Sequence, residues 1–239
     1  MIRAWMAGLC AAALLAVGPG AAQTRTDDFV AANLLAITYH EFGHALIDIL
    51  QLPVFGQEED AADVLSVLLI DAFYEEEAAA SIIYDAAFGF LNDAETHDQV
   101  LWDVHGPDLQ RYYTMICLFY GANPDARADL AQELELPEER AESCEEEFLL
   151  ADDSWGPVLD DISQDAPGKS IVFKAGTNPF IDAIMAEEVA ALNEDFVLPE
   201  TLTVRSEDCE EVNAFYDLET REIIICTELD GYLRDVADF

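Results

Sequence analysis

The sequence predicts an α+β fold, predominantly helical, with a small C-terminal antiparallel sheet or hairpin. Two observations predict it. Between about residues 28 and 150 apolar residues recur at helical spacing, with proline and glycine marking the breaks. Short β-branched stretches with turn residues between them appear only later, at 171–174, 201–205 and 222–226.

The chain opens with Met1 to Arg3 as a positive start, an apolar run from Ala4 to Val17, and the small residues Gly20-Ala21-Ala22. Together they read as a secretory signal peptide over residues 1–22, with the mature chain starting near Gln23. An uncleaved N-terminal anchor is the alternative, but the run of about fourteen residues falls short of the roughly twenty that span a bilayer. Removing it leaves about 215 residues, enough for one large domain or a domain with an appendage. We expect a helical core over 23–162 and an α+β portion over 163–239 packed on the same domain.

Residues 28–50 read as a helix with Asp27 or Asp28 as its acidic start and apolar residues on most of its surface. It contains His40-Glu41-Phe42-Gly43-His44. Residues four apart on a helix share a face, so His40 and His44 can turn their rings toward one ion, and Glu41 beside them can reach a water bound to it. Two of only four histidines fall in this motif, which makes a chance match on a buried helix a poor explanation. Gly43 costs the helix about 1 kcal/mol relative to alanine. Either a close approach beside a metal or close helix packing accounts for it.

Leu52-Pro53-Val54-Phe55-Gly56 breaks this helix, and a second runs over 57–74. The hairpin turns the chain back, so the start of the second helix faces the middle of the first. Glu59 and Asp63 share a face there. We read Glu59 as third metal ligand, with Glu58 as its competitor, and Asp63 as acceptor of the second ring N–H of a liganding histidine. For Glu58 and Asp60 an acidic helix start favoured by the dipole is the ordinary reading.

His40 to Asp48 followed by Gly56 to Asp63 resembles the gluzincin pattern, in which a glutamate on the next helix completes the HExxH pair. More closely, the chain resembles an exported bacterial family described as "putative metallopeptidases", which it matches again at 105–121, 136–148 and 209–229. The resemblance implies a zincin-like helical core and a zinc peptidase, and it supplies no substrate. In gluzincins a sheet flanks the HExxH helix, but here the strands follow the motif in sequence, which leaves open whether they pack back on it or form a separate module.

Residues 75–92 continue as a helix with an apolar side. The stretch 96–107 holds the other two histidines; a structural or surface role is the ordinary reading of His105, before Gly106-Pro107, which is also the candidate hydrogen-bond donor to an oxyanion, and His97 ranks below it. Residues 109–120 form an aromatic-rich helix, another follows Asn123-Pro124, and a third acidic one spans 137–150. Arg111 has either a substrate carboxylate or one of its many acidic neighbours as partner. Ser163 to Gly168 reads as a link, 171–174 as a strand, 178–195 as a helix, 201–205 as a strand, 212–216 with 222–226 as a hairpin, and 229–236 as a last short helix. Four cysteines lie beyond the leader, and an even count in an exported chain suggests two disulfides. We pair Cys117 with Cys144 and Cys209 with Cys226, each closing a local loop.

Acidic residues outnumber basic ones by 50 to 10, for a net charge of −40. Such a chain is repelled by nucleic acid and by anionic membranes, whereas 52% hydrophobic residues give it enough to bury a core. An acidic surface of this kind suits a saline medium, where counterions screen self-repulsion. The expectation is an exported, periplasmic or extracellular, single-Zn2+ peptidase acting on a peptide or protein, without stable membrane insertion. Its alternatives are a non-catalytic protein that uses zinc to hold its fold or binds a partner, and a zinc hydrolase of a non-peptide amide or ester.

Overall fold

In the computed structural model, which describes residues 25–164 and 166–237, helix α1 (Arg25–Ile49) runs through the core. Its apolar residues fall on all sides, so Val30, Leu34, Tyr39, Phe42 and Leu46 are all buried. α2 (Glu58–Phe73) returns alongside it, and Ser66 on α2 donates its hydroxyl to the Ala36 carbonyl of α1 at 2.8 Å. α3 (Glu76–Thr96) and α4 (Asp108–Ala122) continue the bundle, and α5 (Pro124–Glu133) starts on proline, whose missing N–H costs nothing in a first turn. The signal-peptide reading lies outside the described residues.

The acidic helix expected over 137–150 is two elements. α6 (Glu138–Ala141) stops, and α7 (Cys144–Ile162) starts after two residues and runs well past 150. Ser154-Trp155-Gly156-Pro157 looks like a stop in sequence, yet Pro157 lies inside α7. Trp155 explains why the helix continues: its ring is buried, and its indole N–H donates to the Ala61 carbonyl of α2 at 3.2 Å. The Cys117–Cys144 disulfide joins α4 to the first residue of α7.

The C-terminal portion holds β1 (Ile171–Lys174), α8 (Pro179–Asp195), β2 (Leu202–Glu207), β3 (Ala214–Asp217), β4 (Glu222–Cys226) and α9 (Glu228–Ala237). β3 and β4 form the expected antiparallel hairpin, with Ala214 opposite Ile225, and the Cys209–Cys226 disulfide closes its base. The sheet is larger than that hairpin and is mixed. Its order is β1-β2-β4-β3, with β1 parallel to β2 and β2 parallel to β4. The parallel β1–β2 pair is connected through α8, whose Asn178 caps it by accepting from the Phe180 and Ile181 amides. The stretch read as a link is pinned down: Ser163 bridges Phe196, and Gly168 N–H donates to the Asn193 carbonyl.

The strands pack back on the helices. β3, β4, α8 and α9 all contact α1. Tyr216 on β3 donates its hydroxyl to Asp48 of α1 at 2.8 Å, and the Tyr39 hydroxyl on α1 donates to Glu188 of α8 at 2.6 Å. The outer strand β3 thus flanks the helix that carries the HExxH motif.

Candidate metal centre

The site begins with the contact between α1 and α2. A Cβ on Gly43 would lie 2.9 Å from Ala62 Cα and 3.1 Å from its Cβ, so helix packing is what excludes a side chain there. That close approach brings the first turns of α2 against the middle of α1. Glu59 and Asp63 therefore face His40 and His44.

Three atoms converge. Glu59 Oε2 lies 3.1 Å from His40 Nε2 and 3.2 Å from His44 Nε2, and the two Nε2 atoms are 3.2 Å apart. Behind them, His40 Nδ1 is 2.7 Å from Asp63 Oδ1 and His44 Nδ1 is 2.8 Å from Glu58 Oε1. Carboxylates only accept, so each ring carries its proton on Nδ1 and, when neutral, presents a bare lone pair at Nε2. Two such lone pairs and a carboxylate oxygen facing one point repel one another unless a proton or a metal cation lies between them. Bonds of about 2.0–2.1 Å in a tetrahedron separate ligand atoms by about 3.3–3.4 Å, close to the triangle found here. The donor set therefore fits a dication of zinc type. Glu58, the competing ligand, sits on the far side of the His44 ring.

The protonation preferences carry the same imprint. Burial lowers the proton affinity of His40, but Asp63 and Glu59 more than reverse this and hold its pKa at about 9. Burial works to raise the Glu59 carboxyl, yet contacts from His105, His40 and His44 keep it well below the usual range. Asp63 is likewise held low against burial, by Arg111 and His40. Glu41 differs. It is buried and its pKa is raised, chiefly by that burial, with His40 and His44 and the Tyr216 amide acting the other way. A carboxylate with few donors around it is disposed to take up a proton.

His105 enters from the segment between α3 and α4, its Nε2 2.9 Å from Glu59 Oε2 and its ring 6.1 Å from that of His40. His40, Glu59 and His105 thus make a second triad sharing two members with the first. The set with His44 has the stronger claim, because His40 is buried, His44 is only 14% exposed and both rings are anchored through Nδ1, whereas the His105 side chain is 43% exposed. His97 pairs with Asp93 at the end of α3 and stands apart. A cavity of about 340 Å³ opens beside His105, walled by Val100, Pro107, Leu109, Asp103 and Asp108. Arg111 also lines it, but its guanidinium is committed to Asp63.

A family model described as "Putative metallopeptidase" matches residues 16–159 and 174–237. The chain belongs to this family. The match takes in α1 and α2 as well as β3 and β4, so the family covers both the converging ligands and the strand beside them. No curated protein and no solved structure matches the chain. A metal ion is what the family description implies, and the cluster on α1 and α2 is a candidate place for it.

Besides His105 on Glu59, three contacts were not read from the sequence: Glu58 on His44, Arg111 on Asp63, and the Tyr216 amide on Glu41. Glu58 had a usable signal, since one turn of an acidic helix start can address two histidines. The other two cross between elements far apart in the chain.

Proposed function

We propose that the protein is an exported, single-zinc peptidase, with His40, His44 and Glu59 as metal ligands and Glu41 as general base. The observation behind this reading is the convergence of two Nε2 lone pairs and one carboxylate oxygen at tetrahedral spacing, with both Nδ1 protons anchored. Zinc bound there supplies a Lewis acid that polarises a carbonyl and makes a water nucleophilic at neutral pH. Glu41, buried next to His40, accepts the proton of the attacking water and returns it to the leaving amine. The Tyr216 amide steadies that carboxylate from β3. His105 stands at the accessible side of the cluster and donates to the oxyanion of the tetrahedral intermediate. β3 is the outer strand of the sheet, and an edge strand suits pairing with an extended peptide backbone. Two disulfides and the lack, among the described residues, of a helix able to cross a membrane are compatible with export.

Metal analysis and peptide-library hydrolysis test this together. Stoichiometric zinc is expected, and Glu41→Gln should keep it while losing about 10²–10⁴-fold in hydrolysis. Undiminished activity in that variant removes the mechanism. One observation favours a second reading: His105 Nε2 lies close enough to Glu59 to serve as a fourth protein ligand, which would close the site and make it structural. A cobalt-substituted protein whose spectrum is unchanged by added azide would support the closed site.

A further inference from the structure

We infer that Arg111 is a positioning residue for the metal centre, acting through Asp63 on His40; this rests on the zinc reading above. Arg111 lies in the first turn of α4, and its side chain reaches across to α2. Nε donates to Asp63 Oδ2 and Nη2 to Asp63 Oδ1, both at 2.8 Å, a bidentate clamp that fixes the plane of the carboxylate. Asp63 Oδ1 also faces His40 Nδ1 at 2.7 Å. The guanidinium lies over the Phe90 ring of α3, 4.4 Å from its centroid, and Nη1 is 3.9 Å from Asp108. Contacts from α2, α3 and α4 thus hold one cation in a single pose.

The consequence for His40 is directional. A carboxylate bound only to an imidazole N–H can rotate about its own bonds and let the ring swing. Clamped on the opposite side by a planar fork, Asp63 cannot rotate, and the His40 ring is aimed with Nε2 toward Glu59 and His44. With the Arg111 guanidinium on its far side, Asp63 stays an acceptor and keeps the His40 proton on Nδ1. The same commitment removes Arg111 from substrate binding: both of its inward nitrogens are occupied although the side chain lines the cavity beside His105.

A simple helix-to-helix tie and a purely electrostatic effect are the rival roles, and zinc affinity separates all three. Removing a cation near a dication tightens metal binding, removing a tie lowers stability without touching metal affinity, and removing a positioning group weakens binding. Competition with a chromophoric chelator on the full mature chain should show Arg111→Met weakening zinc by about 10–100-fold, the usual cost of losing an outer partner. Asp63→Asn should weaken it similarly, and the double variant should be no worse than the weaker single one, because both act through one path. Arg111→Lys restores the charge without the fork and should recover only part of the loss; it carries the test if Arg111→Met does not fold. Unchanged or tighter zinc binding in Arg111→Met, or in Arg111→Lys where Met fails, overturns the inference, as does a double variant that loses the sum of both effects. Wild-type protein that binds no zinc removes the metal reading itself, a result distinct from either.

Discussion

Adjacent residues on α1 serve two acidic centres of opposite character, one buried and one partly open. Tyr39 points to Glu188, which accepts from the hydroxyls of Tyr39 and Tyr74 at 2.6 and 3.2 Å. His40 points to Glu59 and Asp63. At the first centre neutral donors satisfy one carboxylate, and the cluster is complete in itself. At the second, two imidazole nitrogens and a carboxylate oxygen face one point, an arrangement that a shared proton or a metal cation would satisfy. Burial alone therefore does not mark a functional carboxylate; the balance of donors to acceptors does.

The largest test of this contrast is chelation. At free zinc 1,000 times its Kd, binding stabilises by about 4 kcal/mol, so stripping the metal should lower the melting temperature by roughly 8–16 °C in a chain of this size. Glu188→Gln should melt with the same dependence on zinc as wild type. Next, Gly43→Ala presses on Ala62 and should cost about 1–3 kcal/mol, while also weakening zinc because Glu59 moves with α2. Calorimetry and zinc titration of that variant report both effects, and loss of stability with unchanged zinc affinity would separate packing from site. Tyr39→Phe removes a donor from Glu188 and should cost about 1–2 kcal/mol, with zinc affinity intact.

The smallest effect is a pH dependence. Burial raises the Glu188 pKa, against the two tyrosine hydroxyls and with Glu187 adding to it. A raised carboxyl favours the folded state below its unfolded value of about 4.5 and loses that contribution as pH rises through the folded value. The stability of Glu188→Gln relative to wild type should therefore improve as pH rises above about 4.5, by about 1 kcal/mol or less on the scale of buried hydrogen bonds. A Glu188→Gln variant that instead loses stability relative to wild type as pH rises would mean that Glu188 is stabilised as an anion.

Much of the helical layout was legible because apolar spacing and Pro-Gly breaks are local signals. The β3–β4 hairpin and both disulfides were legible for the same reason: each joins segments close in the chain. The parallel pairing of β2 with β1 and β4 was not, because no local signal states which strands meet across a crossover. The run of α7 past Gly156-Pro157 was hidden by residues that usually end helices, and only the docking of Trp155 on α2 accounts for it. In the candidate site, the faces of α1 and α2 brought His40, His44, Glu59 and Asp63 together on paper before the structure did. His105 could be singled out only as a scarce residue near a helix start, since the segment carrying it has no regular period.

The contact of Tyr216 with Glu41 has a further consequence, for the order of assembly. His40 and Glu59 lie on neighbouring helices joined by a short turn, so bringing them together closes a small loop at low entropic cost. Tyr216 lies near the end of the chain, and its encounter with α1 closes a very long one. The cluster of His40, His44 and Glu59 can thus form from an early, local hairpin, while the amide beside Glu41 arrives with the last strands. Under the proposed function, a chain folding in that order would gather its ligands before Glu41 is steadied, and would become competent only once the last strands have docked.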